Sequence, residues 1–214
     1  MRECCENKSF DGASPAYRRA LIAVIAINAV MFVVEMSAGM ISGSQALKAD
    51  ALDFAGDTAT YALSLMVIGA SVRTRAYASL FKGGSLAVIA MAVLGMTALR
   101  VLDGSPPEAS TMGIVGFMAL AANAASVVIL LRWRDGDSNV RSVWLCSRND
   151  AIGNVGVIFA GGLVAFTGSA WPDLIVAILL ASLFLKSASA ITLQALHELK
   201  STDHSHVAES GSAS

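Results

Sequence analysis

Apolar positions in this chain fall into six long blocks, approximately Ala20–Met40, Gln45–Ser71, Leu80–Leu102, Met112–Trp133, Ser142–Thr167 and Trp171–Leu193. Each block is roughly 20 residues or longer, the length at which an α-helix crosses the ~30 Å of hydrocarbon in a bilayer. The joints "ISGSQ", "VRTRAY", "DGSPPEAS", "RDGDSNVR" and "TGSAW" are short and rich in turn-forming residues, so neighbouring blocks run antiparallel. The pattern predicts an all-α fold. A six-helix transmembrane bundle over residues 20–193 is expected between a polar N-terminal tail, 1–19, and a short C-terminal tail, 194–214.

Composition strengthens this picture. The chain is 55% hydrophobic and only 14% charged, against about 25% charged in an ordinary soluble domain. The net charge of −1 and the absence of a basic stripe with interleaved aromatics exclude nucleic acid as a partner. The opening "MRECCENKSFDGASPAYRR" is polar, and the apolar run after it contains Glu35, so no cleaved signal is expected. Cys4 and Cys5 are adjacent and Cys146 lies in a membrane block, which makes no disulfide framework.

Basic residues orient the spans. Arg2, Lys8, Arg18 and Arg19 precede the first, Arg73, Arg75 and Lys82 fall between the second and third, and Arg132, Arg134 and Arg141 lie between the fourth and fifth. Lys200 follows the sixth, whereas the opposite loops hold only Lys48 and Arg100. The positive-inside rule therefore places both termini in the cytoplasm, and a multi-pass location in the plasma (bacterial inner) membrane is expected. Gly39 and Gly43, and the group Gly153, Gly156, Gly161 and Gly162, are expected to serve as close-packing surfaces between helices.

Several polar groups stand where hydrocarbon is expected. Asn28 and Glu35 share a face of span one, Asp50, Asp53 and Asp57 share a face of span two, and Asn123 lies in span four. Span five carries Cys146, Arg148, Asn149, Asp150 and Asn154, and span six holds Asp173 and Lys186. Ionisable groups at such depth face a bundle interior or a watery path. Asp53 and Asp57 stand at i and i+4, and so do Cys146 and Asp150. Two facing helices that each project two such side chains can build a four-coordinate cage for a metal ion. Arg148 sits about 200° around its helix from Asp150, and Glu35 or Asp173 on another span would be a plausible partner for it.

These residues carry a resemblance. "NAVMFVVEMSAGMISGSQALKADALDFAGDTATYALSL" resembles the first two helices of the cation diffusion facilitators, "RSVWLCSRNDAIGNVGVIFAG" their fifth and "WPDLIVAILLASLFL" the start of their sixth. The resemblance implies a homodimeric exporter of divalent metal ions that exchanges metal for protons by alternating access. It implies metal ligands at Asp53, Asp57, Cys146 and Asp150, with Asp50 as an accessory position; Asn154, one turn beyond Asp150, is a further accessory candidate from its place on the helix. Cys146 stands where that family usually has histidine, and too few residues follow span six for its cytoplasmic metallochaperone-like domain, so a short form is expected.

A thiolate with three carboxylates suits Zn²⁺ or Cd²⁺; with Cys146 as a packing residue, the oxygen-rich remainder would suit Co²⁺, Mn²⁺ or Fe²⁺. The transported ion, Zn²⁺, Cd²⁺ or Co²⁺, is thus cargo, and no permanently bound cofactor is expected. The partners are metal ions, protons, the lipid bilayer and a second copy of the chain. Cys4 and Cys5, and His197, His204 and His206, either capture metal or belong to tails without a role. Two other readings remain: a proton-coupled transporter of a small organic cation, and a membrane subunit that transports nothing. No serine–histidine pair or HExxH run lies in the spans, which argues against an enzyme.

Overall fold

Ser14 begins the first helix: its hydroxyl accepts the Tyr17 N–H at 3.2 Å, and Pro15 occupies the first helical position, where its missing N–H costs nothing. The computed structural model describes residues 14–66, 72–134 and 138–211. Helix α1 spans Pro15–Ser42, α2 Gln45–Met66, α3 Val72–Asp103 and α4 Ala109–Leu130. A 3₁₀ turn, Leu131–Trp133, follows; α5 spans Ser138–Thr167 and α6 Trp171–Gly211. No strand occurs among the described residues. The end of the second expected span, 67–71, lies outside them.

Polarity is distributed as hydrocarbon surroundings require. On the outside stand Phe166, 90% exposed, and Ile41, Phe81, Val88, Ile114 and Phe159; inside stand Asn28, Glu35, Asp50, Asn123, Asn154 and Asp173, each no more than 2% exposed. A soluble protein would bury the first set and solvate the second. Among the described residues, five helical stretches are long and apolar enough to cross a membrane: Pro15–Ser42, Ser79–Leu102, Ala109–Trp133, Asp150–Thr167 and Trp171–His197. Helix α2 differs because Lys48, Asp50, Asp53 and Asp57 crowd its residues 48–57.

The buried side of α1 is Tyr17, Leu21, Val24, Asn28, Met31, Glu35, Gly39 and Ser42, a stripe advancing by three or four residues as helical geometry dictates. The expectation that Asn28 and Glu35 share an inward face is thus borne out. The most extensive helix pairs are α3 with α6, α4 with α5 and α1 with α2, and α2 also touches α5 over a short stretch. One apolar core gathers Ala46 and Leu47 of α2, Val93 of α3, Met112 of α4, Val164 of α5 and Phe184 of α6. A second, nearer the ends where α1 starts and α2 and α4 finish, holds Tyr17, Leu21, Val24, Tyr61, Leu130 and Val143.

Gly43 ends α1 with φ +76°, a conformation that glycine adopts without strain. The glycines of α5 are not one packing surface. A Cβ on Gly161 would lie 3.0 Å from the Met112 Cβ, whereas Gly156 and Gly162 have open space around them. Helix α6 also continues past the expected limit of residue 193, and α3 begins well before Leu80. The apolar pattern marks where a helix could be buried in lipid, not where its backbone hydrogen bonds stop.

Candidate metal centre

Asp50, Asp53 and Asp57 lie on one face of α2, and Asp150 approaches them from α5. All four line a cavity of about 430 Å³. The cavity follows α2 as far as Met66 and is walled by Phe81, Leu86 and Ile89 of α3 and by Leu183, Phe184 and Ile191 of α6. It therefore occupies the half of the bundle where α2 ends and α3 begins. Asp150 comes within hydrogen-bonding reach of both Asp53 and Asp57. This is the α2–α5 convergence that the paired i, i+4 spacings suggest.

The remaining expected ligands divide. Cys146 lies on α5 one turn before Asp150, and its side chain is outside the described ones. Asn154 is fully buried with neither amide atom hydrogen-bonded, and it does not line the cavity. Asp50 lines the cavity but also meets Glu35 of α1. Neither Glu35 oxygen has a hydrogen bond of normal geometry. Among the described residues, no three or more His, Cys, Asp or Glu side chains form a group that could hold a metal ion. Cys4 and Cys5 lie outside the described residues, as do the side chains of His204 and His206; His197 is exposed on α6.

Two residues that sequence reasoning did not place at the site belong to it. Tyr61, one turn after Asp57, donates its phenol hydrogen to the Asp57 carboxylate. Its position at the next i+4 step after Asp53 and Asp57 was the available signal. Lys82, which the charge count groups with the connection before span three and the apolar block places just inside that span, lies on α3 and lines the cavity. Its charge acts on both Asp53 and Asp57.

Asp173 has a different task from the one expected. One of its oxygens accepts from Ser44 Oγ at 2.5 Å and from Ala46 N at 3.0 Å, and the other from Gln45 N at 2.8 Å. Ser44 Oγ in turn accepts from Leu47 N at 3.0 Å. The first N–H groups of α2, which no helical carbonyl can satisfy, are thus capped from α6. Arg148, far from Asp173 in role, lies over the Trp144 ring with its guanidinium carbon 5.4 Å from the centroid. This is a cation–π contact.

The family model described as the cation efflux transmembrane domain matches residues 21–199. The chain is 28% identical to the metal cation efflux system protein CzcD of Cupriavidus metallidurans, over 76% of this chain and 55% of that protein. It is 29% identical to the zinc transporter ZitB of Pectobacterium atrosepticum, over 85% of this chain and 61% of the relative. It is 25% identical to a cadmium, cobalt and zinc/H(+)-K(+) antiporter of Bacillus velezensis, over 84% and 61%. The chain thus spans little more than half the length of these relatives. From the matched helices and the carboxylates they carry, the chain is a multi-pass membrane protein that belongs to the cation efflux, or cation diffusion facilitator, family.

Proposed function

We propose that this chain exports divalent metal cations, of the Zn²⁺, Cd²⁺ and Co²⁺ class, from the cytoplasm across the plasma membrane in exchange for protons. The observation that carries the reading is the meeting of Asp53, Asp57 and Asp150 in one cavity inside a bundle with an apolar exterior. The functions for which the relatives are named, cation efflux and zinc transport, support the same substrate class.

Three carboxylates held together away from bulk water repel one another. A divalent cation relieves that repulsion, and so do protons, and both compete for the same oxygens. When the site opens to one side of the membrane and then the other, this competition exchanges one for the other. Asp53, Asp57 and Asp150 are the ligands in this reading, with the Cys146 thiolate as the fourth; Asp50 and Asn154 support them. Residues 20–193 form the transport domain, with α2 as a sixth crossing and the tails 1–19 and 194–214 in the cytoplasm. The working unit is a homodimer.

Proteoliposomes containing an internal pH probe test this. Wild-type protein moves Zn²⁺, Cd²⁺ or Co²⁺ against an opposing proton flux, and Asp57→Ala and Asp150→Ala each abolish it. Absence of flux for every divalent ion tried would return the carboxylates to an organic-cation or non-transport role.

A further inference from the structure

The Tyr61 hydroxyl meets the Asp57 carboxylate, and Tyr61 is not one of the residues that line the cavity. It donates to Asp57 Oδ2 and, at a longer 3.4 Å, can also donate to the Val143 carbonyl, while Ser147 Oγ lies 3.5 Å away. Tyr61 and Ser147 are both fully buried, so water does not compete for these groups. Ser147 Oγ–H can donate to the phenol oxygen, and the phenol to the carboxylate, a short relay from α5 to α2. A phenol so held costs little entropy to keep in place, and its bond to a carboxylate is among the stronger kinds.

We propose that Tyr61 sets the cation selectivity of the cavity by occupying one oxygen of Asp57, leaving the other as the single donor that Asp57 presents to a metal ion. This rests on Asp57 being a metal ligand. The chemistry follows from ion geometry. A tetrahedral ion such as Zn²⁺ needs one donor atom from each of four side chains. Mn²⁺ prefers about six oxygen donors in octahedral array, which a small ligand set reaches most readily when carboxylates bind through both oxygens. By tying down Oδ2, Tyr61 disfavours the larger coordination number without altering the charge of the site. Tyr61 is therefore a positioning residue that acts through Asp57.

The test is equilibrium binding of Zn²⁺ and of Mn²⁺ to the purified full chain, with thermal unfolding of the metal-free protein beside it. Tyr61→Phe keeps the buried ring and removes only the hydroxyl. It is expected to raise Mn²⁺ affinity relative to Zn²⁺ by roughly three- to tenfold, the scale of one net hydrogen bond. Ser147→Ala leaves the ring untouched and loosens only the phenol, so it shifts the ratio in the same direction by less. A ratio unmoved in both variants, while Asp57→Asn loses binding, would overturn the role of Tyr61 alone. Zn²⁺ binding that survives Asp57→Asn would remove Asp57 from the site, and both the ligand reading and this one would fall. A purely structural Tyr61 would lower thermal stability and leave the ratio where it was.

Discussion

Asp173, in the first turn of α6, accepts the backbone N–H of Gln45 at 2.8 Å and so fixes the start of the helix that carries Asp50, Asp53 and Asp57. The residues are 128 apart in sequence. Asp173 also takes Ser44 Oγ and Ala46 N, and it is 1% exposed. Removing its carboxylate leaves those donors buried without an acceptor. Asp173→Ala should therefore lower stability by about 3 kcal/mol, within the range for several buried donors unsatisfied at once. Asp173→Asn, with an acceptor oxygen retained, should lose less. Chemical unfolding of the purified protein measures both, and equal stability in Asp173→Ala and wild type would show that the cap carries no energy.

That cap marks the limit of what the chain discloses unaided. Spacing along one helix is legible, because Asp53 and Asp57 share a face wherever α2 is packed, and the same holds for Asn28 and Glu35 on α1. The convergence of α2 with Asp150 of α5 could be anticipated from two matching spacings and was observed. Contacts between helices have no such signature. Nothing in "AWPDL" says that Asp173 completes the first turn of α2. Lys82 reads as a charge at the edge of the third block, and only the structure shows α3 beginning at Val72 and that residue lining the cavity. Tyr61 looks like one more aromatic in an apolar run, and only the structure shows its hydroxyl on Asp57.

Glycines of α5 offer a paired comparison. A Cβ on Gly161 would approach the Met112 Cβ to 3.0 Å and the Gly113 backbone nitrogen to 3.3 Å, where α4 and α5 are in contact, while Gly162 has open space around it. Gly161→Val should force the helices apart and cost about 1–3 kcal/mol. Gly162→Ala relieves only the intrinsic helical penalty of glycine and should be neutral or stabilising by up to about 1 kcal/mol. Thermal unfolding in detergent separates the two. Similar midpoints for both variants would mean that the α4–α5 contact tolerates expansion.

The orientation argued from basic residues is checked by labelling. In protein whose native cysteines have been replaced, Ser105→Cys lies between α3 and α4 and Arg134→Cys between α4 and α5; both positions are exposed. With both termini in the cytoplasm, a membrane-impermeant maleimide should modify Ser105→Cys in intact cells. Arg134→Cys should react only after permeabilisation. The reverse pattern would invert the protein, and equal labelling from outside would break the antiparallel α4 between the two sites.

Lys82 shares the cavity with Asp53, Asp57 and Asp150, so in the cation-free state its ammonium offsets part of their repulsion. It also opposes an incoming metal ion of the same sign. The two effects predict opposite signs in one variant. Lys82→Met removes the charge while retaining most of the side-chain bulk. Metal-free protein should then be less stable, because the carboxylates lose their compensating neighbour. Metal binding should tighten by roughly tenfold, about 1.4 kcal/mol, a modest Coulombic contribution for charges in a partly wet cavity. Lys82→Arg restores the charge and should restore both values towards wild type. Melting curves with and without Zn²⁺, together with equilibrium binding, read the pair. Weaker Zn²⁺ binding in Lys82→Met would show that the ammonium organises the site for metal instead of standing in for it.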